Sequence, residues 1–322
     1  MKFITLCSGI EAASVAWKPL GWECVGVCDF ASFPQQVLKH HYPDVPLFPN
    51  MLNILEDEKF KKLKAKVIAA GTPCQAWSDA GLGNGMDDER AQLAITFGNI
   101  LDSKRPTYFI WENVPGVFKE ELKEDLSQVL SNFTGTDIRP EDLQEGGGIF
   151  IGKKYSIAYR IFDSRYFGVP QRRRRIVVVG YRGTNWRVPV AILFNEGGFG
   201  SVKGENKKKR DELTKNILGE IKLAGTVTKS YSKTLTDGFG KISTSNYWVD
   251  DLGIRQFTEK ELCRLQGFPD DYFDFEINGK KPSYSSVKGG IGNSWSVPLF
   301  RYLGERIQFV DDYLESQKNL VY

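Results

Sequence analysis

The sequence predicts an α/β protein, a doubly wound parallel sheet joined to a smaller, loop-rich second domain. Three observations predict it. Through the first 115 residues short apolar runs alternate with helix-like segments, as in strands linked by crossover helices. Near Tyr181 the texture changes to segments rich in Gly, Ser, Asn and Lys with isolated aromatics. A chain of 322 residues, 41% hydrophobic and 26% charged, suits one large domain plus a smaller one.

Taken in order, the apolar runs Lys2–Leu6, Cys24–Cys28, Val67–Ala70 and Tyr108–Trp111 predict buried strands. The helical segments Ala12–Trp17, Phe33–His40, Asp57–Lys64 and Glu89–Leu101 lie between them, and Lys119–Leu130 predicts another helix. Tyr155–Phe162 and Arg175–Tyr181 predict two more strands, an antiparallel hairpin at the sheet edge. The stretch NEGGFGSVKGENKKKR then belongs to an irregular lobe, its KGENKKKR part either disordered or a surface loop. At Thr258 order returns. Thr258 as N-cap and Glu261 three residues on form a capping box, and Gly267 and Pro269 stop the short helix. Ser294–Leu314 predicts a final helix after a glycine-rich turn, Gly289 to Gly292. The implied division is 1–180, 181–253 and 254–322, the last helix returning to the first domain.

Composition excludes several classes. No apolar run reaches the ~18 residues of a membrane span, and Glu11 interrupts the N-terminal apolar stretch that a signal peptide would need. Cys7, Cys24, Cys28, Cys74 and Cys263 are odd in number and scattered, which fits a reducing cytoplasm better than a disulfide scaffold. The net charge of +3 is a cancellation. From Arg165 to Lys233 there are 16 Lys or Arg against 5 Asp or Glu, a local +11, and the remainder carries −8. That third is either a polyanion-binding face or a solvated charged surface.

Four segments carry chemistry. Strand Val67–Ala70 runs into Gly71-Thr72-Pro73-Cys74-Gln75-Ala76-Trp77-Ser78, and the carboxyl end of such a strand opens onto the ligand crevice. Cys74 is there a nucleophile or an inert buried thiol, with Gly81 to Gly85 able to close over it. The only histidines, His40 and His41, are adjacent near a helix end, which disfavours a Cys–His protease pair; with no CxxC or Cys/His cluster, no metal site is expected. Trp111-Glu112-Asn113-Val114 also sits where a strand ends, making Glu112 an acid–base group or a cap for the next helix. In Gln171-Arg172-Arg173-Arg174-Arg175, alternation points Gln171, Arg173 and Arg175 one way and Arg172 and Arg174 the other. Arg165 to Arg187 holds seven arginines and no carboxylate, so phosphate or base contacts explain them better than local ion pairs. The turn Cys7-Ser8-Gly9-Ile10-Glu11 lets a ligand approach a helix N-terminus, and Asp29 ends the second strand where such folds bind ribose hydroxyls.

Together these segments resemble the DNA (cytosine-5) methyltransferase family, over most of the chain. Gly71-Thr72-Pro73-Cys74-Gln75 is similar to its nucleophile motif, Glu112-Asn113-Val114 to its ENV motif and Gln171/Arg173/Arg175 to its QxRxR motif. Arg255, Thr258, Glu261 and Arg264-Leu265-Gln266-Gly267-Phe268-Pro269 resemble its RxxTxxExxRLQGFP element, and Gly292-Asn293-Ser294 its closing GN element. Five such motifs stand in the correct order and spacing.

The resemblance implies a Rossmann-like methyltransferase sheet over 1–180, target recognition by 181–253, and methyl transfer from S-adenosyl-L-methionine to C5 of a flipped cytosine in double-stranded DNA. Cys74, Glu112, Arg173 and Arg175 would be catalytic. Ser8, Gly9, Ile10, Glu11, Asp29, Phe30, Asn50, Met51, Pro73, Leu93, Asn293 and Trp295 would line the cofactor pocket. Gln75, Ser78, Ala80, Arg90, Gln171, Arg172 and Arg174 would face DNA. The sequence departs from the family at Cys7, where Phe is usual, at Glu11, where Gly is usual, and at Asn50, where Asp is usual. Glu11 near the cofactor either pairs with its cationic groups or crowds it. A bacterial or phage-infected cytoplasm, a restriction–modification setting and a monomer are implied. A tRNA cytosine-5 methyltransferase and an inactive DNA-binding relative are the alternatives.

Overall fold

The computed structural model describes residues 1–73, 89–194, 247–250 and 253–318. They form β1 (Lys2–Leu6), α1 (Ala12–Trp17), β2 (Glu23–Cys28), α2 (Ser32–His41), β3 (Leu47–Phe48), α3 (Glu58–Lys62), β4 (Val67–Gly71), α4 (Glu89–Lys104) and β5 (Tyr108–Asn113). Next come α5 (Lys123–Thr134), β6 (Gly147–Phe150), β7 (Tyr155–Asp163), β8 (Arg174–Arg182), α6 (Arg187–Leu193), β9 (Tyr247–Asp250) and β10 (Gly253–Gln256). The chain ends in α7 (Glu259–Gln266), α8 (Tyr284–Asn293) and α9 (Val297–Lys318).

The chain divides into two compact units. The first comprises Met1–Phe162, Arg174–Asn195 and Phe300–Tyr322 and the second Asp163–Arg173 and Glu196–Leu299. Asp163–Arg173 and residues 254–299 are thus grouped with the segment that the composition change marks off.

An eight-stranded sheet ordered β3-β2-β1-β4-β5-β8-β7-β6 organises the described strands. Its β3, β2, β1, β4 and β5 run parallel, the arrangement expected of strands separated by helices. Helices cover both faces of such a sheet, so its strands must be apolar throughout. Accordingly Val67 to Ala70 and Tyr108 to Trp111 are fully buried. Phe97, Phe109, Trp111 and Phe133 pack edge to face beneath α4 and α5.

Two expectations require correction. The last long strands, β7 and β8, are neighbours as expected but do not form the edge, because β8 pairs antiparallel with β5 inside the sheet and β6 lies outermost. Ile176 to Val179 are all fully buried, and a strand so apolar needs a neighbour on each side. Gly289 to Gly292 are also no turn but lie within α8. Ser283 caps that helix by accepting from Ser286 N at 3.2 Å, and Gly290 and Gly292 are buried in it. The final helix consequently starts at Val297 with Pro298 in its first turn, where a missing N–H costs nothing.

The predicted α7 termini hold. Thr258 Oγ1 accepts from Glu261 N at 3.2 Å, and Glu261 Oε2 accepts from Thr258 N at 2.8 Å. Gly267 ends the helix at φ +86°, with Pro298 so close that a Cβ would lie 2.5 Å from its Cδ.

In the first unit α9 packs along the sheet. Trp17 Nε1 donates to Phe300 O at 2.7 Å, and Gly304 lies against the same indole, where a Cβ would come within 2.5 Å. Further along, Asp311 takes Lys66 Nζ at 2.6 Å and Tyr108 OH at 3.1 Å. Among the described residues no helix is long and apolar enough to cross a membrane.

Candidate active site

Ser8 lies just after β1, Asp29 just after β2 and Glu112 near the end of β5, while β4 ends at Gly71. After β1 the chain turns sharply, with Cys7 at φ +52°, Gly9 at +55° and Glu11 at +63°. Hydrogen bonds sew this turn to the end of β2. Ser8 N donates to Cys28 O at 2.8 Å, Cys28 N returns to Ser8 Oγ at 3.0 Å, and Gly9 N donates to Asp29 Oδ2 at 2.7 Å. Asp29 Oδ1 also accepts from Ala31 N at 2.9 Å. Burial nonetheless pushes the Asp29 carboxyl above its ordinary range.

Glu11 explains its own departure from the family pattern. A left-handed residue at this turn suits glycine, and a side chain there needs compensation. Here the carboxylate caps α1, accepting from Ser14 N at 3.1 Å and Ser14 Oγ at 2.9 Å, and it takes Thr5 Oγ1 at 2.7 Å. It is 1% exposed and faces inward, and burial raises its pKa to about 7 despite those bonds. It can shape the turn but has no exposed oxygen with which to crowd a ligand.

Of the other expected pocket residues, Ile10 and Met51 are buried, Pro73 and Leu93 are half-buried, and Asn50 Oδ1 accepts from Leu52 N at 2.9 Å. Beside Gly9, a Cβ would meet nothing within 4 Å. Phe30 is 84% exposed, an apolar ring presented at the end of β2 rather than packed in the core. An aromatic face, a carboxylate and an open glycine turn fit an adenosine with its ribose.

Glu112 lies near the end of β5. Its register partner on one side is Gly71, the last residue of β4, and on the other Val177 of β8. Arg175 Nε reaches its Oε1 at 2.9 Å, with both side chains largely buried. The pairing follows from antiparallel β8, which returns its start to the end of β5. Thr72, unremarked in the sequence beyond its motif, is buried and accepts the indole N–H of Trp111 at 3.0 Å.

The arginine run alternates in burial as predicted, but its contacts are mostly internal. Gln171 is fully buried and donates to Leu265 O at 2.7 Å and Gln266 Oε1 at 2.6 Å, within the second unit. Arg173, 2% exposed, donates to Gly292 O and Ser294 O. Arg172 and Arg174 are exposed, and Arg174 meets Glu145 at 3.2 Å. Carboxylates beyond the run therefore hold part of it. Arg165, Arg174 and Arg175 have carboxylate partners in Asp163, Glu145 and Glu112, which lie outside the run. Of the two candidates near the closing element, Asn293 is exposed at the end of α8 and Trp295 is buried.

Cys74, Gln75, Ser78, Ala80, residues 81–85 and the aromatics Phe199, Tyr231 and Phe239 of the Gly- and Lys-rich segment lie outside the described residues, as do the side chains of Arg90, Tyr247, Trp248 and Arg255. Of the other cysteines, burial raises the thiols of Cys7 and Cys24 and pushes Cys28 and Cys263 up to about 12, which suppresses thiolate chemistry.

A largely parallel sheet with the polar groups gathered at its strand ends defines a Rossmann-like methyltransferase. The solved Entamoeba histolytica methyltransferase EhMeth has this fold, with a TM-score of 0.65 at 19% identity over 97% of this chain and 98% of its own. The model of the C-5 cytosine-specific DNA methylase family matches residues 1–235 and 219–309, and the chain belongs to that family of DNA cytosine-5 methyltransferases. The type II methyltransferase M.BsuFI of Bacillus subtilis is 28% identical over 94% of this chain and 71% of its own. A protein of Escherichia phage P1 named a DNA N-6-adenine-methyltransferase is 35% identical over 69% of this chain. The match spans only 34% of that phage protein.

Proposed function

We propose that the chain methylates C5 of a cytosine in double-stranded DNA through a covalent bond between Cys74 and C6. The observation that carries this is the Glu112–Arg175 pair, held at 2.9 Å where β5 ends, with Gly71 of the strand leading to Cys74 in register beside Glu112.

Cytosine C5 is a poor nucleophile. Addition of the Cys74 thiolate to C6 makes the ring enamine-like, and a proton from Glu112 to N3 neutralises the developing charge. Arg175, which pairs with Glu112, would serve the O2 edge of the same ring. Only a few per cent of an ordinary thiol is thiolate at neutral pH, so a nearby positive charge would assist Cys74. S-adenosylmethionine supplies an electrophilic methyl group when bound. Asp29 would take its ribose hydroxyls, Phe30 its adenine, and Ser8 to Ile10 its methionine end, with Met51, Pro73 and Leu93 as walls. Loss of the C5 proton, for which water would be the acceptor, return of the N3 proton to Glu112 and expulsion of the Cys74 thiolate then release the product. The base must leave the duplex stack first, costing a few kcal/mol, and exposed Arg172 and Arg174 are candidates for the phosphate contacts that offset this.

The test is capture of the enzyme on duplex DNA containing 5-fluorocytosine with labelled cofactor, alongside transfer assays on unmodified DNA and on tRNA. A covalent adduct that disappears in Cys74→Ser, together with transfer to DNA, is the expected result. Transfer to tRNA alone, or to neither, overturns it.

A further inference from the structure

Thr72 stands one residue beyond β4 and two before Cys74, and it is 3% exposed. Burying a hydroxyl costs free energy unless it is hydrogen-bonded, and a valine would fill the same volume without that demand. The partners of this hydroxyl are specific. Trp111 Nε1 donates to Thr72 Oγ1 at 3.0 Å, and Asn113 Nδ2 lies 3.4 Å from both Thr72 Oγ1 and Thr72 O. Asn113 Oδ1 in turn accepts from Val114 N at 2.9 Å, fixing the amide's orientation.

Trp111 and Asn113 are the two neighbours of Glu112. Alternate residues on a strand share a face, so both reach Thr72 from one side of β5 while Glu112 points to the other. Thr72 is therefore gripped by the residues on either side of the carboxyl group. Backbone register alone ends at Gly71, opposite Glu112; beyond it, these side-chain bonds tie the two chains together.

We infer that Thr72 is a positioning residue. Its hydroxyl, clamped by Trp111 and Asn113, sets the path of the chain entering Cys74 relative to Glu112. The inference rests on Cys74 being the nucleophile. Displacing a reacting group by ~1 Å can cost on the order of a hundred-fold in rate, so removing the clamp acts on the chemical step more than on binding.

The experiment compares Thr72→Val, Thr72→Ala and Thr72→Ser with the parent enzyme. The readouts are the rate of capture on 5-fluorocytosine duplex, kcat and KM for DNA, and cofactor affinity by calorimetry, all per folded molecule. Thr72→Val and Thr72→Ala should both slow capture and lower kcat by about ten- to a hundred-fold. KM and cofactor affinity should stay within about three-fold, and Thr72→Ser should restore capture. Parental capture by the valine or alanine variant, or a serine variant as slow as they are, overturns the inference. If the valine variant fails to fold, the alanine and serine variants decide it. Absence of any adduct with the parent, or an undiminished adduct with Cys74→Ser, refutes the nucleophile assignment instead and so separates the two failures.

Discussion

Strands β4 and β5 each carry charged or polar partners at both ends, and the two ends do different things. Where the strands begin, Lys66 and Tyr108 converge on Asp311 of α9. Where they finish, Glu112 meets Arg175 at 2.9 Å, and Thr72 is held by Trp111 and Asn113. Burial does not distinguish the pairs, since Asp311 and Glu112 are 9% and 10% exposed in their side chains. Polarity of the sheet does. Ligand crevices in open α/β sheets lie at the carboxyl ends of parallel strands, so the first pair is read as a fastening and the second as working groups.

That contrast breaks first at Glu112. Glu112→Gln keeps the shape and loses the exchangeable proton, so kcat should fall by about 10²–10⁴-fold, while the thermal midpoint changes little. A steady-state assay beside a melting curve checks both, and retained activity would make Glu112 a structural residue. Asp311→Ala tests the opposite end. Lys66 is a third exposed, so the loss is discounted from that of a fully buried pair to about 1–3 kcal/mol of unfolding free energy. Activity per folded molecule should be unchanged, and a kcat defect would erase the distinction.

Glu11 sharpens the comparison through pH. Its pKa rises from 4.5 to about 7 on folding, so between those values the folded chain holds a proton that the unfolded chain has released. Stability from this group is therefore greatest in acid and declines as pH rises from 4.5 to 7, by about 3 kcal/mol in all. Asp29 is the charged neighbour that adds to the rise, and Thr5 and Ser14 oppose it. Denaturant titrations of Glu11→Gln should show that part of the slope flattened; an unaltered slope would assign it elsewhere. The smallest effect belongs to Phe30. Its ring is 84% exposed, so Phe30→Ala should leave stability alone and weaken cofactor binding by about two- to ten-fold, read by calorimetry.

Legibility in the sequence tracked how local the deciding contacts are. Strand β1 and helix α1 match their predicted limits, because an unbroken apolar run and its turn are complete within a short window. β3, with two residues, and the glycine-led β6 are too short or too plain to show alternation. The arginine run displayed its alternation but not its destinations. Arg173 meets carbonyls more than 115 residues onward, and Arg175 a carboxylate on another strand. Motif residues Asp29 and Glu112 were legible as types at strand ends. The Thr72 clamp was not, since a threonine and a tryptophan 39 positions apart carry no shared pattern.

The bond from Trp17 to Phe300 spans 283 residues. A ribosome delivers Trp17 283 residues before Phe300, so during synthesis this indole waits without its native acceptor. Phe3, edge-on to it, and Trp22, tilted against it, wait with it. A nascent chain stalled before residue 300 would therefore present an uncovered aromatic face, the kind of surface that chaperones bind and aggregation exploits.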